Sequence, residues 1–196
     1  MDSQALDIAD IDFQVGDHVC AFYNRGGSAL DDIVVDYVSQ GLQAGNKCAC
    51  FSFADTASSV LDRIPGELMS REGILQFFTE DQVEDGFSVE AALRTLEAIA
   101  KEALSEGYGR LWLIGDADFV ARDLPPGSIK TWFTYEAEVN ELASRHQQFI
   151  MCLYDLDRLT GELVMSVLQT HPRIFVNGLV LSNPYYLPLR QFLATL

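Results

Sequence analysis

Glu136 is a carboxylate on the apolar side of a predicted helix. In the stretch 128–146, apolar residues recur at helical spacing around it, including Trp132, Phe133 and Val139. A carboxylate on a core-facing stripe costs on the order of several kcal/mol unless it is paired or hydrogen-bonded. The sequence leaves two interpretations open. In the first, Glu136 has a structural role and forms a hydrogen bond to a tyrosine or a backbone group. In the second, it is a site residue with a perturbed pKa.

Asp116 directly follows the apolar run 110–115, which has the character of a buried strand. In an open parallel sheet, ligands bind outside the carboxyl ends of the strands, so this acid would point into a site. The alternative is an ordinary solvated turn residue. We predict a ligand-binding pocket at this edge, with two cysteines beneath it. The predicted pocket residues are Tyr23, Asn24, Asp116, Glu136 and Tyr154, with Cys20 and Cys152 below them.

Two cysteines and a histidine fall on predicted neighbouring strands. His18 and Cys20 share one face of the run 18–23, because side chains alternate along a strand, and Cys152 lies in the run 148–154. Such a set would suit zinc or another soft metal, but its spacing matches no standard zinc motif. Single cysteines in buried strands are also ordinary core residues. We therefore predict no metal and no cofactor.

His171 continues the apolar stripe of a predicted helix over 160–170. A helix that returns from the top of a parallel sheet finishes at the lower edge, where the first strand begins with His18. We expect the two histidines to meet there, away from the strand-end pocket. They would form either a structural clamp or a second polar site.

The sequence contains no arrangement typical of a hydrolase. There is no G-x-S-x-G, no H-E-x-x-H, and only three histidines in the chain. The loop around residues 24–28 is glycine-rich like a phosphate-binding loop, but the phosphate-binding lysine is missing. Asp31 and Asp32 stand where a triphosphate would need cations. We predict a binding domain rather than an enzyme.

The net charge of −16 excludes some classes of partner. DNA, RNA and anionic membranes are bound through clustered lysine and arginine, which this acidic chain lacks. The first residues show no signal-peptide pattern, and no apolar run reaches the ~18 residues of a membrane span. We expect a cytoplasmic protein that binds neither nucleic acid nor membrane directly.

Short apolar runs alternate with helical patterns along the chain. The predicted strands are 18–23, 47–53, 74–78, 110–115, 148–154 and 174–181. The predicted helices are 31–44, 56–63, 88–106, 128–146 and 160–170. This alternation predicts one α/β domain with a mostly parallel central sheet covered by helices on both faces. Residues 1–15 would be an acidic lead-in and 16–196 the domain.

Several short motifs occur in order along the chain. They are His18-Val-Cys-Ala-Phe-Tyr23, Gly41-Leu-x-x-Gly45-Asn-Lys47, Leu113-Ile-Gly-Asp116, Tyr135-Glu136 with Asn140-Glu-Leu142, Cys152-x-Tyr154, Thr170-His171-Pro172 and Asn183-Pro-Tyr-Tyr186. In order and spacing they resemble the motifs of the MEDS family of methanogen and methylotroph sensory domains. Together they span about residues 16–186. Asp116 stands where the family tends to have glutamate.

The resemblance implies a RecA-like or KaiC-like fold that has lost its phosphate-binding loop. It also implies sensing of a small organic molecule, such as a simple hydrocarbon derivative. We expect the signal to pass in trans to a histidine kinase, an anti-sigma factor or a transcription regulator, and a homodimer is compatible with the sequence. Two alternatives remain open: a degenerate ATPase-like domain that binds nucleotide without hydrolysing it, and an acidic protein-interaction scaffold.

Overall fold

The computed structural model describes residues 14–24, 29–51, 57–69, 71–78, 88–117, 128–176 and 179–195. Most of the predicted acidic lead-in and the glycine-rich residues 25–28 lie outside the described residues.

Seven strands and six α-helices alternate along the described chain. The strands are β1 His18–Tyr23, β2 Lys47–Phe51, β3 Leu75–Phe78, β4 Leu111–Asp116, β5 Phe149–Asp155, β6 Arg173–Val176 and β7 Leu179–Ser182. The helices are α1 Ala29–Gln43, α2 Ala57–Arg63, α3 Val89–Ser105, α4 Ile129–His146, α5 Gly161–Thr170 and α6 Leu189–Leu193, with a 3₁₀ turn at Gly66–Met69.

The strands form one sheet in the order β3-β2-β4-β5-β1-β6-β7. All neighbouring pairs are parallel except β6 and β7, which are antiparallel. β1 therefore lies between β5 and β6, and residues far apart in the sequence become neighbours. Cys20 pairs in register with Cys152, and Phe22 pairs with Tyr154. The predicted α/β fold with a mostly parallel sheet is confirmed.

The predicted strand 174–181 is wrong in one respect, because the structure divides it into β6 and β7. These strands form an antiparallel pair in which Ile174 lies opposite Leu181. The intervening sequence is Asn177-Gly178, the dipeptide most typical of two-residue hairpins. The residues on both sides of this dipeptide are apolar, so the segment 174–181 also fits the pattern of one continuous strand.

Helices cover both faces of the sheet. On one face, the Tyr37 ring of α1 lies 4.9 Å from Trp112 of β4, and its hydroxyl donates to the Phe149 carbonyl at 3.1 Å. On the opposite face α4 lies over β1 and β5, where its Glu136 meets His18 and Cys152. Side chains alternate between the two faces along each strand. Position within a strand therefore decides which helices a residue can meet.

Side chains cap the first turns of two helices. Ser88 precedes α3 in an extended conformation and accepts a hydrogen bond from the Ala91 amide. Thr160 precedes α5 in the same way and accepts from the Leu163 amide. Within the described part of the chain, no helix has the length and apolar character that crossing a bilayer requires.

Candidate functional site: a buried His-Glu-Cys-His cluster

Four side chains that could do chemistry converge between the sheet and the helices α4 and α5. His18 begins β1, Cys152 lies within β5, Glu136 lies in the middle of α4, and His171 directly follows α5. His18 and Cys152 reach the same face because β1 and β5 are parallel and in register. We call these four residues the polar cluster.

The contacts within the polar cluster centre on one carboxylate oxygen. Glu136 Oε2 lies 3.2 Å from His18 Nε2 and 3.4 Å from His171 Nε2. The Cys152 Sγ lies 3.8 Å from the same oxygen and 3.3 Å from His18 Nε2. The two imidazole rings stack at a tilt, with centroids 4.1 Å apart. His18, Glu136 and His171 are buried, and Cys152 is partly exposed.

The ring of His18 is held in one orientation by Asn140, one turn after Glu136 on α4. The Asn140 amide nitrogen donates to the backbone carbonyls of Thr170 at 2.8 Å and Ala137 at 3.1 Å. Its oxygen therefore faces His18 Nδ1 at 3.1 Å, and only a protonated Nδ1 can donate to it. With Nδ1 protonated, Nε2 faces Glu136 with a lone pair when His18 is neutral and with a second proton when it is an imidazolium.

The ring of His171 is fixed in the same sense by the last turn of α5. Its Nδ1 donates to the Val167 carbonyl at 2.8 Å, and the Thr170 hydroxyl lies 3.1 Å from the same nitrogen. Nε2 is again the atom that faces Glu136. Both histidines thus present Nε2 to one carboxylate oxygen.

Burial and mutual contact set the charges of the cluster. Burial raises the pKa of Glu136, but the hydrogen bonds and charges of His171 and His18 outweigh it and lower that pKa to about 2. Burial, followed by the charge of His171, lowers the pKa of His18. Burial, followed by the Glu136 charge, raises the pKa of the Cys152 thiol well above its ordinary value. Glu136 is therefore an anion at neutral pH.

The cluster leaves hydrogen-bonding capacity unused. Among the described residues, no hydrogen bond of ordinary geometry reaches the buried atoms Glu136 Oε1 and Tyr154 Oη, and His171 Nε2 has only its 3.4 Å contact with Glu136 Oε2. The Tyr154 ring meets His171 edge-on, with centroids 5.7 Å apart. Burial, followed by the Glu136 charge, raises the pKa of Tyr154 well above its ordinary value. An unsatisfied buried polar atom costs about 1–3 kcal/mol, so this arrangement is not optimised for stability.

The predicted strand-end pocket is divided between the two faces of the sheet. Tyr23 donates to both carboxylate oxygens of Asp116, at 3.1 and 3.2 Å, on the face that α1 covers. Cys20, Cys152 and Tyr154 are on the other face, because Cys20 lies an odd number of residues from Tyr23. The prediction that Glu136 lines the same pocket as Asp116 is therefore wrong in its geometry.

The remaining predicted residues are placed as follows. The Asn24 amide donates to the exposed Asp157 at 2.8 Å. Cys20 lies beside Cys152 in the sheet, but its Sγ points towards the Arg173 carbonyl at 3.7 Å. The predicted meeting of His18 with His171 is confirmed, whereas the predicted separation of that pair from Glu136 and Cys152 is not. In the set considered for a metal, Glu136 and His171 join His18 and Cys152, and Cys20 is left out.

The contact between Cys152 and His18 resembles the thiol–imidazole pairs that activate cysteine nucleophiles. Here burial and the neighbouring Glu136 carboxylate oppose formation of the thiolate. A thiol kept protonated in this way is a poor nucleophile. An open groove of about 550 Å³ also lies between α3 and α4, but its walls are mainly glutamate and arginine, and none of the four cluster residues lines it.

Comparison with known proteins gives a family, a relative and two related folds. The sequence matches the family model of the MEDS domain, described as the methanogen/methylotroph, DcmR sensory domain, over residues 17–172. It is 24% identical over 175 residues to the transcriptional repressor DcmR of Methylorubrum extorquens, covering 84% of this chain. The matched part spans 61% of that relative's length.

Solved structures of archaeal proteins with a similar fold include the following two. A KaiC-like protein from Pyrococcus horikoshii superposes with a TM-score of 0.57 at 13% identity, over 83% of this chain and 71% of that one. The flagellar accessory protein FlaH from Methanocaldococcus jannaschii gives a TM-score of 0.57 at 12% identity, over 88% of this chain and 75% of that one. At this identity the likeness shows the fold alone, which is RecA-like and KaiC-like.

Proposed function

Because this chain belongs to the MEDS family of sensory domains, we propose that it is a non-enzymatic sensor of a small organic molecule within a prokaryotic signalling system. The ligand-dependent state of the domain is passed to a protein that controls transcription. This proposal names a ligand class and an output, which go beyond the sensory role that family membership gives.

The observation that carries the proposal is the polar cluster and the apolar residues beside it. Trp132, Phe133 and Tyr154 belong to a compact apolar cluster that also contains Cys20 and Phe192. Small-molecule sites combine mainly apolar walls with a few placed polar groups. A simple hydrocarbon derivative with one polar group would pack on the aromatic rings and bond to the unsatisfied atoms of Glu136 or Tyr154.

The proposal that the signal reaches a regulator of transcription is based on the similarity to DcmR and on the net charge of the chain. DcmR is described as a transcriptional repressor, so a role in transcriptional control is the simplest proposal for this chain. With a net charge of −16, the chain itself is a poor ligand for DNA. We propose that a transcription regulator, histidine kinase or anti-sigma factor receives the signal.

The test is a thermal-shift screen of small organic molecules against matched variants. A ligand at 100 times its Kd stabilises by about 2.7 kcal/mol, which is roughly 5–11 °C for a chain of this size. Glu136→Ala and Tyr154→Phe should reduce that shift. The Tyr23→Phe variant removes a hydroxyl on the opposite face of the sheet and should keep it.

Other results would contradict the proposed sensor function. Equal shifts in wild type, Glu136→Ala and Tyr154→Phe would place the ligand elsewhere, and a shift lost only in Tyr23→Phe would favour the strand-end residues. Micromolar binding of Mg-ATP in place of organic ligands would support a degenerate nucleotide binder. Salt-sensitive partner binding without any small ligand would support an acidic scaffold.

A further inference from the structure

We propose that His18, Glu136, Cys152 and His171 form a tetrahedral binding site for a borderline divalent transition-metal ion such as Zn²⁺. All four offer a ligand atom, and these atoms lie within 4.8 Å of one another. The metal's part in sensing rests on the proposed function, whereas metal binding itself rests on the geometry of the four side chains.

The spacing of the ligand atoms fits one ion. Zinc lies about 2.0–2.2 Å from nitrogen and oxygen and about 2.3 Å from sulfur, so its tetrahedral ligands are roughly 3.3–3.7 Å apart. Four of the six distances between the ligand atoms are 3.2, 3.3, 3.4 and 3.8 Å, and the other two are at most 4.8 Å. Small adjustments of the side chains would therefore place all four atoms at bonding distance.

The orientation of the histidines suits metal ligation. Metal-bound histidines usually donate their other ring nitrogen to a carbonyl or carboxylate, which fixes the ring. His171 Nδ1 donates to the Val167 carbonyl at 2.8 Å, and His18 Nδ1 donates to the Asn140 oxygen at 3.1 Å. When both rings are neutral, their Nε2 lone pairs converge on Glu136 Oε2, and lone pairs repel an anionic oxygen. A cation between them would convert three mutually repelling acceptors into ligands.

The charges also balance. A carboxylate, a thiolate and two neutral imidazoles carry a total charge of −2, which a divalent ion cancels. Among the described residues, the groups that contact the Glu136 carboxylate include neither lysine nor arginine. Burial of a net charge costs several kcal/mol or more, so neutrality favours occupation of the site.

The mixed nitrogen, sulfur and oxygen set selects the type of ion. Calcium and magnesium prefer all-oxygen surroundings, whereas zinc and cobalt accept thiolate and imidazole. Four protein ligands close the coordination sphere, as in zinc sites that do not catalyse. This agrees with a sensory rather than an enzymatic role.

Direct metal measurements on the whole 196-residue chain test the inference. We expect protein purified without chelator to bind one equivalent of Zn²⁺. After stripping, one equivalent of Co²⁺ should give the visible bands of tetrahedral cobalt and a thiolate charge-transfer band. X-ray absorption of the zinc form should show one sulfur at about 2.3 Å and nitrogen or oxygen at about 2.0–2.2 Å. A wild-type protein that binds neither ion would overturn the proposal.

Substitutions test whether the metal is bound by the residues of the polar cluster. Cys152→Ser should abolish the charge-transfer band and weaken binding by more than the roughly 10–100-fold that loss of an outer hydrogen bond costs. The control is Cys50→Ser, a buried cysteine in β2 outside the cluster, which should retain the band. If Cys152→Ser does not fold, the nearly isosteric Glu136→Gln should weaken binding to a similar degree. Wild-type affinity and spectra in either folded variant would show that the ion binds elsewhere and refute the site.

These readouts are independent of any organic ligand. A protein that binds organic ligands but neither Zn²⁺ nor Co²⁺ would overturn the metal site and leave the proposed function standing. Conversely, a protein that binds one equivalent of metal at the cluster but no organic ligand would contradict the proposed function and leave the metal site standing.

Discussion

Replacement of Asn140 by aspartate would test how the polar cluster is held together. The substitution keeps the oxygen that accepts from His18 Nδ1 at 3.1 Å. It replaces the amide nitrogen, which donates to the carbonyls of Thr170 at 2.8 Å and Ala137 at 3.1 Å, by a second oxygen. The variant therefore breaks the link between α4 and the end of α5 without removing the support of His18.

The magnitude follows from those contacts. A buried carbonyl that loses its donor costs about 1–3 kcal/mol, and here two carbonyls face a new acceptor. We expect Asn140→Asp to lower the free energy of unfolding by roughly 3–5 kcal/mol. For a chain of this length that corresponds to a fall in Tm of roughly 6–20 °C.

Urea denaturation followed by far-UV circular dichroism would measure this difference. Thr134→Ala is the matched control on the same helix, because among the described residues its hydroxyl bonds back to the Lys130 carbonyl at the surface. That change should stay within about 0.5 kcal/mol. A loss below about 1 kcal/mol in Asn140→Asp would show that the amide does not hold α5 against α4, and the tautomer assigned to His18 would lose its basis.

Three further substitutions test the packing and the ion pair of the motif from Gly41 to Lys47. Gly41→Ala should destabilise by about 1–3 kcal/mol in urea denaturation, because the new Cβ would lie 2.8 Å from Cys48 Sγ. Gly45 has a φ of +74° with open space around it, so Gly45→Asn should cost less than Gly41→Ala, and an equal cost would contradict the packing argument. Glu106→Ala removes the 2.8 Å partner of the buried Lys47 ammonium and should cost about 1–2 kcal/mol in the same assay; an unchanged midpoint would show that the pair contributes nothing.

The sequence predicts the elements well because each carries its own local signal. The predicted helix 128–146 is observed as Ile129–His146, and its buried side includes Glu136 as the apolar stripe indicated. The Ser88 cap was predictable from residue type alone. The β6–β7 hairpin was not, since its Asn-Gly signal sits inside an apolar run that also suits one long strand.

The site was harder to predict because it depends on which strands become neighbours. Cys152 meets His18 only because β1 lies beside β5, 134 residues away in the sequence, and pairing partners carry no local signal. One error was avoidable. Tyr23 and Cys20 were assigned to one pocket, although their odd spacing along a strand places them on opposite faces.

The position of the polar cluster separates this site from the usual ligand site of the fold. In open α/β sheets ligands bind beyond the carboxyl ends of the strands, where Tyr23 and Asp116 are already bonded to each other. The cluster lies instead under α4 and α5, and His18 at the start of β1 and His171 at the end of α5 put it towards the opposite edge. The sequence also lacks the lysine that a phosphate-binding loop would supply. A ligand bound at the polar cluster, as we propose, would therefore occupy a different place from the nucleotide of a phosphate-binding α/β fold.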